Sequence, residues 1–271
     1  MSEPIDLSAL GWTPSRVQHW QELQASSLVH QPDCHPGRVC AQHRGVLQLQ
    51  TELGGFDAEI SGRLRYTVTD EVELPAVGDW VAATLRPDEA TATVHDVLPR
   101  TSALVRGTPG DRRQSAQVLA SNVDSVWVVT SMNRDFNAHR IERMLAIVHE
   151  SGAAGVVVLS KGDLTDDPAP FLEAVGRSAP DTPVHVVSAA SNRVLDPLRH
   201  DLAPGRTVAI DETGRASPYE KPTRTDLVLH LPDAKGTRAL LVGLPAEPSP
   251  AQRATYDVLV AGKQRAQSST I

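Results

Sequence analysis

The chain has 271 residues, of which 40% are hydrophobic and 22% charged, with a net charge of −7. This is ordinary globular chemistry, long enough for one large or two modest domains. No apolar run approaches a membrane span, and Met-Ser-Glu-Pro-Ile-Asp at the N-terminus has neither a basic nor an apolar leader segment, so the reading is cytoplasmic with no membrane partner. Charge is uneven: residues 1–105 hold 7 Arg and Lys against 14 Asp and Glu, whereas residues 106–271 hold 19 of each. The acidic half excludes a general phosphate-binding surface, and any nucleic-acid contact must use local patches.

In chain order, Thr13-Pro14 opens a helix that runs through Val17, Trp20 and Leu23. With its approaches it makes an N-terminal helical arm, residues 1–36. Val39 to Thr51, Phe56 to Tyr66, Gly78 to Leu85 and Thr91 to Leu98 are β-rich runs divided by Gly, Pro and Asp turns. They predict a small barrel over residues 37–100, OB-like or SH3-like by pattern alone. Trp80 and Tyr66 are the aromatics there that could stack on a base. Cys34 and Cys40, the two cysteines, flank His35, with His43 nearby. This set is too small for a metal and reads as a loop Cys and a strand Cys without a joint role.

Residues 101–116 read as a linker rich in Arg, Gly, Pro and Ser. Arg100, Arg106, Arg112 and Arg113 are the candidate phosphate contacts around it. From residue 117 to 245 the pattern alternates strand and helix. The second half of Val118 to Thr130 is a buried strand, and Asn137 caps a helix that Gly152 closes. Val156 to Leu159 is a strand buried on both faces, and a helix runs through Phe171 to Val175. Val184 to Val187 is the next strand, followed by a helix through Val194, Leu198 and Leu202. Such alternation implies a mostly parallel sheet with right-handed crossovers. Residues 246–271 form a C-terminal helix or tail.

The strand ending at Leu159 breaks into Ser160-Lys161-Gly162-Asp163, at the sheet edge where open α/β folds place ligands. One βα unit later Val187 breaks into Ser188-Ala189-Ala190. The pair resembles the way GTPases hold guanine. The Asp accepts from the base edge, the Lys stem covers one face, and a backbone N–H after the Ser meets the ring carbonyl. Lys161 is the first of only 4 lysines in the chain. The resemblance assigns guanine nucleotide binding to Ser160, Lys161, Asp163, Ser188, Ala189 and Ala190.

The order of parts resembles the circularly permuted GTPases of the ribosome small-subunit-dependent (RsgA) family. The segments that carry it include Ser61-Gly-Arg-Leu-Arg65, Pro75-Ala-Val-Gly-Asp-Trp80, Val97-Leu-Pro-Arg100 and Asn122-Val-Asp124, together with the two base-binding turns. They cover roughly residues 6–210. The resemblance implies an OB-like barrel followed by a permuted, here truncated, GTPase-like α/β domain. It also implies GTP or GDP as ligand and the small ribosomal subunit or its rRNA as partner.

Where that family carries a phosphate loop G-x-x-x-x-G-K-[ST], after Ile210, this chain reads Asp211-Glu-Thr-Gly-Arg-Ala-Ser-Pro-Tyr-Glu-Lys-Pro222. No such motif stands elsewhere in it. Gly243-Leu-Pro-Ala246 occupies the place of the metal-binding Asp-x-x-Gly turn, and Thr223-Arg-Thr225 that of the threonine-rich switch. Asp211-Glu-Thr-Gly214 is a chance mimic of the metal turn, and Asp233-Ala-Lys-Gly236 reads as a hairpin turn. Ser160 stands where the family has Asn. The expectation is a family member with weak base binding, no catalytic residue, no residue for magnesium and no zinc site. Two other readings are an active GTPase with a phosphate site of another form and an OB-type RNA-binding module.

Overall fold

The computed structural model describes residues 5–25, 33–43, 45–107, 116–134, 136–188, 198, 201, 203, 205–212, 225–233 and 236–242. α1 (Pro14–Ala25) starts at the expected proline. It is followed by a closed barrel of β1 (Cys34–His43), β2 (Val46–Thr51), β3 (Gly54–Ile60), β4 (Trp80–Arg86) and β5 (Thr91–Val97) in the order β1-β2-β3-β5-β4. β1 pairs antiparallel with both β2 and β4, while β3 and β5 run parallel. This order resolves the choice left open by the sequence in favour of an OB-like barrel. Alternation builds it: Leu47 and Leu49 point inward between Gln48 and Gln50, and Phe56 and Ala58 between Gly55, Asp57 and Glu59.

Three expectations change here. The run from Phe56 to Tyr66 is not one strand, because β3 ends at Ile60 and Ser61 begins α2 (Gly62–Thr67). The Ser61 hydroxyl accepts from the Leu64 amide at 3.2 Å, so N-capping overrides strand propensity. The barrel starts at Cys34, so both cysteines lie on β1. Both are free, and burial pushes each thiol up to about 11. The segment expected as linker contains β6 (Ala103–Gly107), which pairs antiparallel with β7 (Ala116–Ser121). Leu104, Val118 and Ala120 are buried, an apolar pattern that the surrounding Arg, Gly and Pro obscured.

The second sheet has the order β10-β9-β8-β11-β12-β13. β8 (Ser125–Ser131), β9 (Ala154–Ser160), β10 (Val184–Val186) and β11 (Thr207–Glu212) are parallel; β12 (Thr225–Asp233) and β13 (Gly236–Val242) add antiparallel. α3 (Ala138–Ser151) lies between β8 and β9. The Asn137 carboxamide caps its start, and Gly152, at φ +82°, closes it. α4 (Ala169–Ser178) connects β9 to β10. Burial is two-sided, as a parallel sheet requires. Val126, Val128, Val157 and Leu159 pack on one face, and Trp127, Val129, Val156 and Val158 on the other. Of the helix expected through Val194, Leu198 and Leu202, only Leu198 and Asp201 lie among the described residues, and both are helical. β11 and β12 are antiparallel neighbours, with Asp211 opposite Thr225. Residues 213–224, between them, lie outside the described residues, as do Gly243-Leu-Pro-Ala246 and residues 246–271.

Three of the family-resembling segments, Pro75 to Trp80, Val97 to Arg100 and Asn122 to Asp124, meet at the joint between the two domains. Asn122, at φ +52°, is its centre. The Asn122 side-chain oxygen accepts from the Thr101 amide at 3.0 Å and Arg16 Nη2 at 3.1 Å, and its side-chain amide donates to Gly78 O at 3.1 Å. Arg38 is buried on β1 and donates to the backbone carbonyls of Leu10, Gly78 and Asn122. Gly78, at φ +95°, allows the close approach: a Cβ there would stand 2.1 Å from Ser121 O. Asp124 continues the joint into the sheet by accepting from the Thr207 amide at 2.6 Å.

Two sequence assignments are corrected at this joint. Arg100 is internal rather than a phosphate contact. Its Nε and Nη2 donate to Asp79 Oδ1 and Oδ2 at 2.8 and 2.6 Å, and it also donates to Val72 O and Leu74 O. Trp80 cannot stack on a base, because it is fully buried under Trp12, at 4.7 Å between centroids, and Arg38, at 5.6 Å. Of the other linker arginines, Arg106 contributes backbone to β6, while Arg112 and Arg113 lie outside the described residues.

Candidate functional site

The carboxyl ends of β8, β9 and β10 lie side by side, with Ser131 opposite Ser160 and Val186 opposite Leu159. Past Ser160 the chain turns sharply. Lys161 adopts the left-handed conformation, φ +61° and ψ +39°, which costs a non-glycine residue about 1–2 kcal/mol. The next residue, Gly162, donates its amide to Val187 O at 3.0 Å. The space beside it is tight, since a Cβ would meet Val186 Cγ1 at 3.0 Å, Val187 O at 3.3 Å and Met132 Cε at 3.4 Å. This close seating lays Asp163 across the end of β10.

Asp163 and Ser188, 25 positions apart, are thereby joined: the Ser188 hydroxyl donates to Asp163 Oδ1 at 2.5 Å. Ser188 is buried, while Lys161 and Asp163 are exposed. A carboxylate steadied from beneath by a buried hydroxyl can accept two N–H donors from solvent in a fixed plane. Lys161 stands two residues before it on the same turn. Of the six residues assigned to the base, the structure brings Ser160, Lys161, Asp163 and Ser188 to one edge. Ala189 and Ala190 lie outside the described residues.

Ser160 has a different part. Its hydroxyl donates to Thr130 O at 3.0 Å and lies 3.3 Å from Ser131 Oγ, while the Met132 amide donates to Ser160 O at 3.0 Å. Ser160 therefore ties β9 to β8 and positions the turn. Gly162, Met132 and Val187 were not singled out from sequence, although Thr130-Ser131-Met132-Asn133 breaks at the same edge as Ser160 and marks a neighbouring strand end. Among the described residues no cluster of three or more His, Cys, Asp or Glu is placed to hold a metal ion. His35 instead meets Glu52, at 3.0 Å.

This arrangement can be compared with known proteins. Residues 97–215 match the family model of the RsgA GTPase. These residues belong to the RsgA GTPase family. The "Small ribosomal subunit biogenesis GTPase RsgA" of Opitutus terrae is 38% identical over 214 residues, covering 76% of this chain and 56% of that protein. The protein of that name from Methanosarcina acetivorans is 39% identical over 190 residues, covering 70% of this chain and 50% of its own length. The chain thus spans about half the length of the curated relatives it matches.

The fold recurs in crystal structures. YjeQ from Thermotoga maritima superposes with a TM-score of 0.54 at 19% identity, covering 77% of this chain and 73% of YjeQ. YloQ, described as a circularly permuted GTPase, superposes with a TM-score of 0.50 at 17% identity over 79% of this chain. An OB-like barrel followed by a mostly parallel sheet is the fold this chain shares with both.

Proposed function

We propose that this chain is a cytoplasmic small-subunit biogenesis factor of the RsgA type that recognises guanine through Lys161, Asp163 and Ser188 without hydrolysing GTP. The Asp163–Ser188 contact carries the reading: it orients a solvent-facing carboxylate at the strand ends where a base edge would meet it. One feature of the sequence supports the loss of turnover. Phosphoryl transfer depends on positioning and charge neutralisation around the phosphates. At the corresponding strand end this chain carries Asp211-Glu212 and no phosphate-loop motif.

Calorimetric titration with guanosine, GDP and GTP, with and without magnesium, tests the site. Weak and similar affinities, indifferent to magnesium and lost in Asp163→Ala, are expected. Tight, magnesium-dependent GTP binding, or turnover stimulated by small subunits, would refute the reading in favour of an active GTPase. Sedimentation with small subunits at low salt tests the partner. Co-sedimentation independent of nucleotide is expected, and a chain that stays at the top of the gradient refutes that part.

A further inference from the structure

The N-terminal arm, residues 5–25, contributes a strand to neither sheet, yet it bonds to both domains. Its 3-10 turn, Leu7–Leu10, ends in three successive carbonyls aimed at three different bodies. Ala9 O accepts from the Gly205 amide at 2.9 Å, just before β11. Leu10 O accepts from Arg38 on β1, and Gly11 O accepts from Arg16 Nη1 on α1 at 2.8 Å. Arg16 Nη2 continues to Asn122 at the joint, and the Ile5 amide donates to Glu52 O, after β2, at 2.9 Å. One segment thus spans barrel, joint and sheet. Its seat is close: Gly11, at φ +88°, and Gly205, at φ +81°, lie against each other. A Cβ on Gly11 would stand 2.9 Å from Gly205 O and from Arg38 Nη1, and one on Gly205 would stand 2.9 Å from Ser8 O.

The apolar packing of the arm is a cluster of its own. Leu10, Trp12, Trp20 and Leu23 gather on Trp80 and Leu98, and the cores of the barrel and the sheet contain none of these four. The groups the arm binds keep other partners: Arg38 retains Gly78 O and Asn122 O, and Asn122 retains the Thr101 amide and Gly78 O. Seating the arm also has a cost. Arg16 Nε and Trp80 Nε1 are buried with no acceptor among the described residues. Burial, then the neighbouring Arg16 charge, lowers the Arg38 guanidinium to about 10. Detachment returns both donors to water and separates the two cations. Separate packing, replaceable bonds and a stored cost are what a locally opening unit requires.

We propose that residues 5–25 are a releasable clamp, which when seated holds barrel and sheet at one angle and which opens as a unit while both domains stay folded. With the clamp closed the barrel is fixed relative to the turn that carries Lys161 and Asp163; with it open the barrel swings about the joint. The device does not depend on whether that turn binds guanine.

Native-state hydrogen exchange of the full chain, read by mass spectrometry, tests the opening. Residues 5–25 should exchange together and at least about tenfold faster than β1 to β5 and β8, as a unit of low local stability does. Gly11→Ala or Gly205→Ala should quicken the arm by a further factor of about ten and leave those strands unchanged. Gly45→Ala, with the same φ of +88° as Gly11 but no described atom within 4 Å of its Cβ, should leave the arm at the wild-type rate. The angle is read from spin labels at Asp57→Cys on β3 and Glu173→Cys on α4, both exposed, in a Cys34→Ala/Cys40→Ala background. One narrow distance distribution is expected, broadened by either glycine variant of the clamp. Exchange needs no cysteine change, so it decides the matter alone if that background does not fold. Exchange of the arm in step with the barrel strands would overturn the proposal, as would an unchanged arm in both variants or equal quickening by Gly45→Ala. Barrel strands quickened along with the arm, or a distribution as narrow in the variants as in the parent, would overturn it likewise.

Discussion

Replacing Arg100 by Ala should be among the most damaging single changes in the barrel. The Arg100 side chain is 18% exposed and that of Asp79 is 0% exposed, so the pair is enclosed rather than solvated. Four hydrogen bonds disappear together: two to the Asp79 carboxylate, one to Leu74 O and one to Val72 O. Asp79 retains the Ala76 amide at 2.8 Å but loses its cation. Removing one partner of a buried pair costs about 3–5 kcal/mol, because the remaining charge is left uncompensated. Against a domain stability of about 5–15 kcal/mol and a urea slope near 2 kcal/mol/M, the midpoint should fall by about 2 M. The assay is urea unfolding followed by circular dichroism. Arg100→Lys keeps the charge but loses the planar fork, so it should fall between. Asp79→Asn/Arg100→Ala should cost less than the sum of the single changes, with a coupling of roughly 2 kcal/mol. If Arg100→Ala unfolds within about 1 kcal/mol of wild type at the same slope, the joint is not held as described, and Arg100 becomes available again as a surface cation.

Gly78→Ala should destabilise by about 3 kcal/mol or more, since it combines a positive φ with a 2.1 Å approach to Ser121 O; thermal melting checks it, and a loss under 1 kcal/mol would contradict the packing. Ser188→Ala should weaken guanosine binding by about 1 kcal/mol by releasing Asp163, whereas Asp163→Asn should abolish it; equal affinities by calorimetry would mean the hydroxyl orients nothing. His95 has a lowered folded pKa, so the unfolded chain binds the extra proton first, and stability is full above about pH 6.5 and declines as pH falls through the folded value. Urea midpoints between about pH 7.5 and 5.5 should show that decline, and His95→Gln should flatten it; an identical profile in the variant would remove His95 from the account.

The sequence by itself determined whatever depends on neighbours within a few positions. Asn137 and Gly152 delimit α3 because capping and left-handed closure are local chemistry. The alternation of Leu47 and Leu49 with Gln48 and Gln50 identified barrel strands, and the run Val156 to Leu159 a strand covered on both faces. Lys161 and Asp163 were legible because a polar break after a buried strand marks the ligand edge of a parallel sheet. Only the tertiary structure decided which charged and aromatic side chains remain available. Arg100 and Arg63 read alike in one dimension, yet one is enclosed by Asp79, 21 positions away, and the other faces solvent. Trp80 and Tyr66 were equal stacking candidates until Trp12 and Arg38 covered the first. Ser160 likewise reads as a ligand residue, but its hydroxyl is spent on Thr130, 30 positions earlier. A guanidinium, an indole or a hydroxyl takes its role from the partner that meets it, and those partners come from distant segments whose approach the local pattern does not encode.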